Sequence, residues 1–161
     1  MSENKSKFIV DAMLGKLAKK LRVLGYDSVY SSDKEDDEII NIAKNENRIL
    51  ITKDSQLARK GIKKNVEVIE ITGNDEIEQF LQINKKVNLG KCVVSGKNSR
   101  CSVCNGELES IDKIKAQEKI PPRVSEQTNE FWQCKKCQKI YWEGTHIQNL
   151  QKFVGMLNDR L

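Results

Sequence analysis

Phe8-Ile9-Val10-Asp11, continuing as Ala12-Met13-Leu14-Gly15-Lys16-Leu17-Ala18, is the stretch that decides the fold. Its first three residues are apolar without alternation, the pattern of a strand buried on both faces. The period changes at Asp11. Leu14, Leu17, Ala18, Leu21 and Leu24 recur at helical spacing, and Gly25 stops the helix. A strand that passes directly into a helix opens a strand–helix–strand unit. The rest of the first half repeats it. Strands are predicted over residues 28–31, 48–52 and 66–71, and helices over 36–45, 55–60 and 76–82. Such alternation implies an α/β fold with a parallel sheet flanked by helices. Ligands bind beyond the carboxyl ends of the strands in such sheets. Asp11 lies at one such end, and Asp54 follows another.

The texture changes near Gly90. All five cysteines, both prolines and both tryptophans fall between residues 92 and 142. The chain therefore divides into an α/β domain over 1–90 and a smaller module over 91–161. That module ends in a helix marked by Ile147, Leu150, Phe153, Val154, Leu157 and Leu161. Residues 113–130 are polar, are broken by Pro121-Pro122, and read as an irregular loop.

Cys101-Ser-Val-Cys104 and Cys134-Lys-Lys-Cys137 stand 29 residues apart. Two residues between cysteines let one tight turn aim both sulfurs at a single ion. Two such turns complete a tetrahedral thiolate site suited to structural Zn2+. Four cysteines also suit an iron–sulfur centre. Cys92 lies outside the pattern and reads as a small buried residue. The odd cysteine count and the paired spacing argue against disulfides. The polar start, Met1 to Lys7, has no export signal, and no apolar run reaches the roughly 18 residues of a membrane span. A cytoplasmic protein with no membrane partner is expected.

The net charge is +5, concentrated in residues 91–140, with 10 Lys+Arg against 6 Asp+Glu. This permits nucleic-acid binding and equally suits a solvated surface. The single histidine, His146, excludes a two-histidine metal site. Neither a nucleophile elbow nor a phosphate-binding P-loop is present. Asp11, Asp54 and the acidic run Asp33 to Glu38 could gather around Mg2+ or Mn2+, which prefer oxygen ligands. Aspartates in these places also serve as helix caps.

The stretches from Val10 to Ala18, Leu21 to Asp27 and Arg48 to Asp54, both cysteine pairs, and Tyr141-Trp142-Glu143-Gly144-Thr145-His146 together resemble the "Mut-seven C-terminal" ribonuclease domain. The resemblance covers roughly residues 7–155 and implies a PIN-like sheet followed by a zinc ribbon. It further implies a metal-dependent ribonuclease with Asp11, Asp37 and Asp54 as its acidic ligands for Mg2+ or Mn2+. Asp37 is preferred to Asp36 for the middle position, and Asp75 is the nearest candidate for a fourth. Lys16 and Arg22 are the candidate RNA contacts on the first helix. Tyr141 and Trp142 either stack on bases or pack the ribbon. The alternative function is a non-catalytic RNA- or ribosome-binding adaptor on the same scaffold. A third reading is a ribbon that binds another protein.

Overall fold

The computed structural model describes residues 5–161. Met1 to Asn4, part of the polar start, lie outside the described residues. Four parallel strands, β1 (Phe8–Asp11), β2 (Ser28–Ser31), β3 (Ile49–Thr52) and β4 (Val68–Glu70), lie in the order β2-β1-β3-β4. In this register Val10 sits between Tyr30 and Ile51. Each strand leads into a helix: α1 (Gly15–Val23), α2 (Asp36–Asn45), α3 (Ser55–Lys63) and α4 (Glu76–Lys86). A single 3-10 turn, Ala12–Leu14, joins β1 to α1.

The twofold period of the strands sorts their side chains onto two layers. Phe8, Val10, Ile49 and Ile51 share a core with Leu17 and Leu21 of α1 and Phe80 and Ile83 of α4. Ile9 and Leu50 point the other way, toward Ile39, Ile40 and Ala43 of α2 and Leu57 of α3. Each fully buried leucine or isoleucine contributes about 1.5–3 kcal/mol. Gly25 ends α1 as expected. Its φ of +94° is the left-handed conformation, and Tyr26 N–H closes the turn on Leu21 C=O at 2.9 Å.

The second module has its own antiparallel sheet, β5 (Leu108–Ile111), β6 (Phe131–Cys134) and β7 (Ile140–Tyr141), in the order β5-β6-β7. The loop expected over 113–130 is instead two short helices, α5 (Lys113–Gln117) and α6 (Pro122–Gln127). Pro122 starts α6, where its missing N–H costs nothing. Ala116 and Ile120, four residues apart, bury themselves against Phe131. Only these two are fully buried in the segment, with Val124 partly so, too few to show against its polar background.

The last helix, α7 (Thr145–Asn158), follows the ribbon in sequence and packs on the first module. Val154 and Leu157 enter the core of the first, although the sequence division grouped this helix with the ribbon. Phe153 meets Phe80 edge-on at 5.6 Å. The Asn158 amide takes Cys92 N–H at 2.8 Å and gives to Cys92 C=O at 2.9 Å. Cys92 itself is a buried core residue. Among the described residues no helix is long and apolar enough to cross a membrane.

Candidate functional site

Strands β1 and β3 are neighbours, but the chain leaves them in opposite directions, toward β2 and β4. The crevice beyond their carboxyl ends is therefore the switch point of the sheet. Asp11 closes β1 there, and its Oδ1 accepts Ala12 N–H at 2.7 Å. Thr52, fully buried at the end of β3, donates its hydroxyl to Asp11 Oδ2 at 2.9 Å. The same hydroxyl oxygen accepts Asp54 N–H at 2.9 Å. Asp54 in turn caps α3, its Oδ1 accepting Gln56 N–H at 2.8 Å and Leu57 N–H at 3.3 Å. Thr52 thus links the two aspartates. Sequence alone shows only a threonine two residues before Asp54, and its bond to Asp11, 41 residues away, depends on β1 lying beside β3. Tyr30 holds the loop from the other side by donating to Ala12 C=O at 2.6 Å.

Asp37 stands exposed in the first turn of α2, beside Asp36, which pairs with Lys60 at 3.5 Å. Asp75 caps α4 through Ile77 N–H at 2.8 Å. Among the described residues, no three carboxylates bring oxygens within 4.8 Å of one another.

The cysteines differ. One sulfur from each of Cys101, Cys104, Cys134 and Cys137 lies within 4.8 Å of all the others. Cys101 and Cys137 sulfurs are 3.6 Å apart, and those of Cys104 and Cys134 are 3.4 Å apart. Zn–S bonds of about 2.3 Å in a tetrahedron place sulfurs about 3.8 Å apart, so one ion fits. A cluster carrying its own sulfides would need more room. Both turns are built alike. Asn105 N–H bonds Cys101 C=O at 2.8 Å, and Gln138 N–H bonds Cys134 C=O at 3.0 Å. Asn105 and Gln138 take φ of +69° and +70°. Gly106 leaves room for the sulfurs, because a Cβ there would lie 2.8 Å from Cys134 Sγ.

The Tyr141 hydroxyl and Cys101 Sγ share a hydrogen bond at 2.9 Å, which favours packing of the ribbon as the tyrosine's role. Burial pushes the Cys101 thiol up. The Tyr141 hydroxyl and the N–H groups of Cys104 and Val103 outweigh this and bring it to about 6. Burial lifts Cys104 to about 12. Sulfurs this close resist sharing negative charge, and a divalent cation removes that conflict.

Arg22 is a correction to the expected RNA contacts. It is buried, with 7% of its surface exposed. Nε donates to Ser28 C=O at 2.8 Å, and Nη1 donates to Ser102 C=O at 2.9 Å and Val103 C=O at 3.3 Å. Its guanidinium grips the first cysteine turn and has little surface left for a phosphate. Asn105 reinforces the joint. Its Oδ1 accepts Ser28 N–H at 3.0 Å, and its Nδ2 donates to Asp27 at 2.6 Å. Lys16, by contrast, is exposed on α1.

Fold and sites together define an α/β protein joined to a small module whose four clustered cysteines could hold a metal ion. A family model described as the Mut7-C RNAse domain matches residues 6–154, and the chain belongs to that family. No curated protein and no solved structure matches it.

Proposed function

We propose that the protein is a ribonuclease that hydrolyses RNA phosphodiester bonds with Mg2+ or Mn2+ held by Asp11, Asp37 and Asp54. The observation that carries this reading is the Thr52 hydroxyl, which ties Asp11 to the Asp54 turn across the switch point of an RNase-family chain. The donors there are all oxygens, as hard cations require. Mg2+ keeps several waters and binds through one or two carboxylates plus substrate phosphates, so it does not need three carboxylates gathered within 4.8 Å. The ion would supply an activated water and offset charge on the reacting phosphate. Thr52 and the capping N–H groups orient Asp11 and Asp54. Asp54 Oδ1 is engaged by N–H groups, so its Oδ2 is the oxygen assigned to the ion. Asp37, exposed in the opening turn of α2, is the third ligand in this reading and would have to swing toward the ion, and Lys16 meets the RNA backbone. Zn2+ on the four cysteines is structural. A cytoplasmic location suits cysteines that must stay reduced.

The test is cleavage of labelled RNA with Mn2+ or Mg2+ by the protein and by Asp11→Asn. Cleavage that requires the ion and falls more than about a hundredfold in the variant supports the reading. Equal cleavage by both folded proteins sinks it. One observation favours a second reading, a non-catalytic RNA- or ribosome-binding adaptor. Asp11 and Asp54 already have employment as helix caps, and Asp37 is not gathered with them. RNA binding without turnover would select it.

A further inference from the structure

We propose that a trough along α1, walled on its far side by the zinc module, seats single-stranded RNA and leads it to the Asp11 end of the sheet. The inference takes its substrate from the ribonuclease reading. The trough is formed by two clefts. The first, about 500 Å3, lies between α1 and the segment from β7 into α7, with Lys16, Lys19, Tyr141, Trp142 and His146 on its walls. The second, about 600 Å3, continues past Lys16 and Lys19 to Met13, Tyr30 and Lys53. Met13 is two residues beyond Asp11 and is 71% exposed. The nine residues of α1 span about 13 Å, so the two clefts line one helix from end to end.

Charge and stacking surface favour a nucleic acid. Lys20 also borders the first cleft, but it is paired with Glu76 and lies over the Phe153 ring at 4.9 Å. Lys16 and Lys19 are both exposed on α1, one helical turn apart. Glu143 is the opposing charge on the far wall. Trp142 is half-buried. It packs on the small core of Ala116, Ile120 and Phe131 while it also lines the cleft, as a stacking platform should. Trp132 is not available in this way, because Gly96 lies directly against its indole, where no Cβ would fit. Bases reach an aromatic wall only when they are unstacked from a partner strand, so the occupant is single-stranded.

The experiment measures binding without turnover. Zinc-loaded Asp11→Asn protein, free of Mg2+ and Mn2+, is titrated into a fluorescein-labelled single-stranded oligonucleotide and a hairpin duplex of matched length. The single strand should bind more tightly. Replacing both lysines (Lys16→Gln with Lys19→Gln) should weaken it at least tenfold. It should also reduce the slope of log K against log salt by about 1.4, the value for two lost contacts. Trp142→Ala should weaken binding about tenfold, and Trp142→Phe should restore most of it. Zinc content and circular dichroism check that each variant is folded, and the exposed lysines keep the test decisive if Trp142→Ala is not. Unchanged binding in the lysine variant, equal affinity for the duplex, or no RNA binding overturns the proposal. Cleavage by the parent with no effect of the trough variants would remove the trough and leave the nuclease. Trough-dependent binding without cleavage would do the reverse.

Discussion

The cysteine site and the carboxylate site are both made of anionic side chains placed at turns, yet only one is gathered. Four sulfurs converge to 3.4–3.6 Å between nearest partners. The carboxylates form no such cluster among the described residues: Asp11, Asp54 and Asp75 each accept from the turn or helix they open, and Asp37 stands exposed in α2. The difference lies in what each group does without an ion. A capping aspartate has backbone N–H donors and is content alone. Four crowded thiolates have too few donors, and their repulsion is relieved only by a cation. The ribbon is therefore expected to depend on a metal ion, whereas the sheet is expected to keep its shape without one.

The sharpest way to break that contrast is to remove the zinc. Structural zinc contributes about 10–16 kcal/mol of binding free energy in small modules. A chelator, or Cys134→Ser at a fully buried sulfur, should collapse β5 to β7 while the parallel sheet persists. Hydrogen exchange should show protection lost around Phe131–Cys134 and kept in Ile49–Thr52. Protection lost equally in both would mean that the modules fold as one unit.

A smaller effect is expected where the regions join. Arg22→Met strips three carbonyls of their donor and should destabilise the protein by about 3 kcal/mol in urea unfolding. An unchanged midpoint would show that the cysteine turn docks without it.

The smallest effect is pH dependence from Asp27. Burial pushes its carboxyl up, but hydrogen bonds from Arg48 and Asn105 outweigh this and hold it below the usual carboxylate range. A lowered folded pKa means stability that is present above about pH 4, the unfolded value. It is lost as acidification passes the lower folded value. Unfolding midpoints of the parent minus those of Asp27→Asn isolate this contribution, because zinc release in acid is common to both. A flat difference from pH 7 to pH 3 would remove Asp27 from the joint.

Much of this was readable because it is local. The helical spacing from Leu14 to Leu24 and its stop at Gly25 lie within one element, and each cysteine pair closes its own turn. Helices α5 and α6 leave little trace in the sequence because α5 buries only Ala116, α6 buries nothing fully, and the other deep anchor, Ile120, lies in the turn between them. Arg22 looked like any helical arginine. Its partners are about 80 residues away in sequence, in the first cysteine turn. The preference for Asp37 over Asp36 came from resemblance and has no local signal behind it.

Periodicity and spacing were sufficient for the alternating sheet, its two apolar faces and the four-sulfur centre, since each depends on residues a few positions apart. Three things needed the tertiary structure: the Thr52 link between Asp11 and Asp54, the burial of Arg22 under the ribbon, and the trough that joins Trp142 to Lys16. Each depends on which strand lies beside which and on how the ribbon docks. Those choices are settled by the summed packing of the whole core, not by any one segment's pattern.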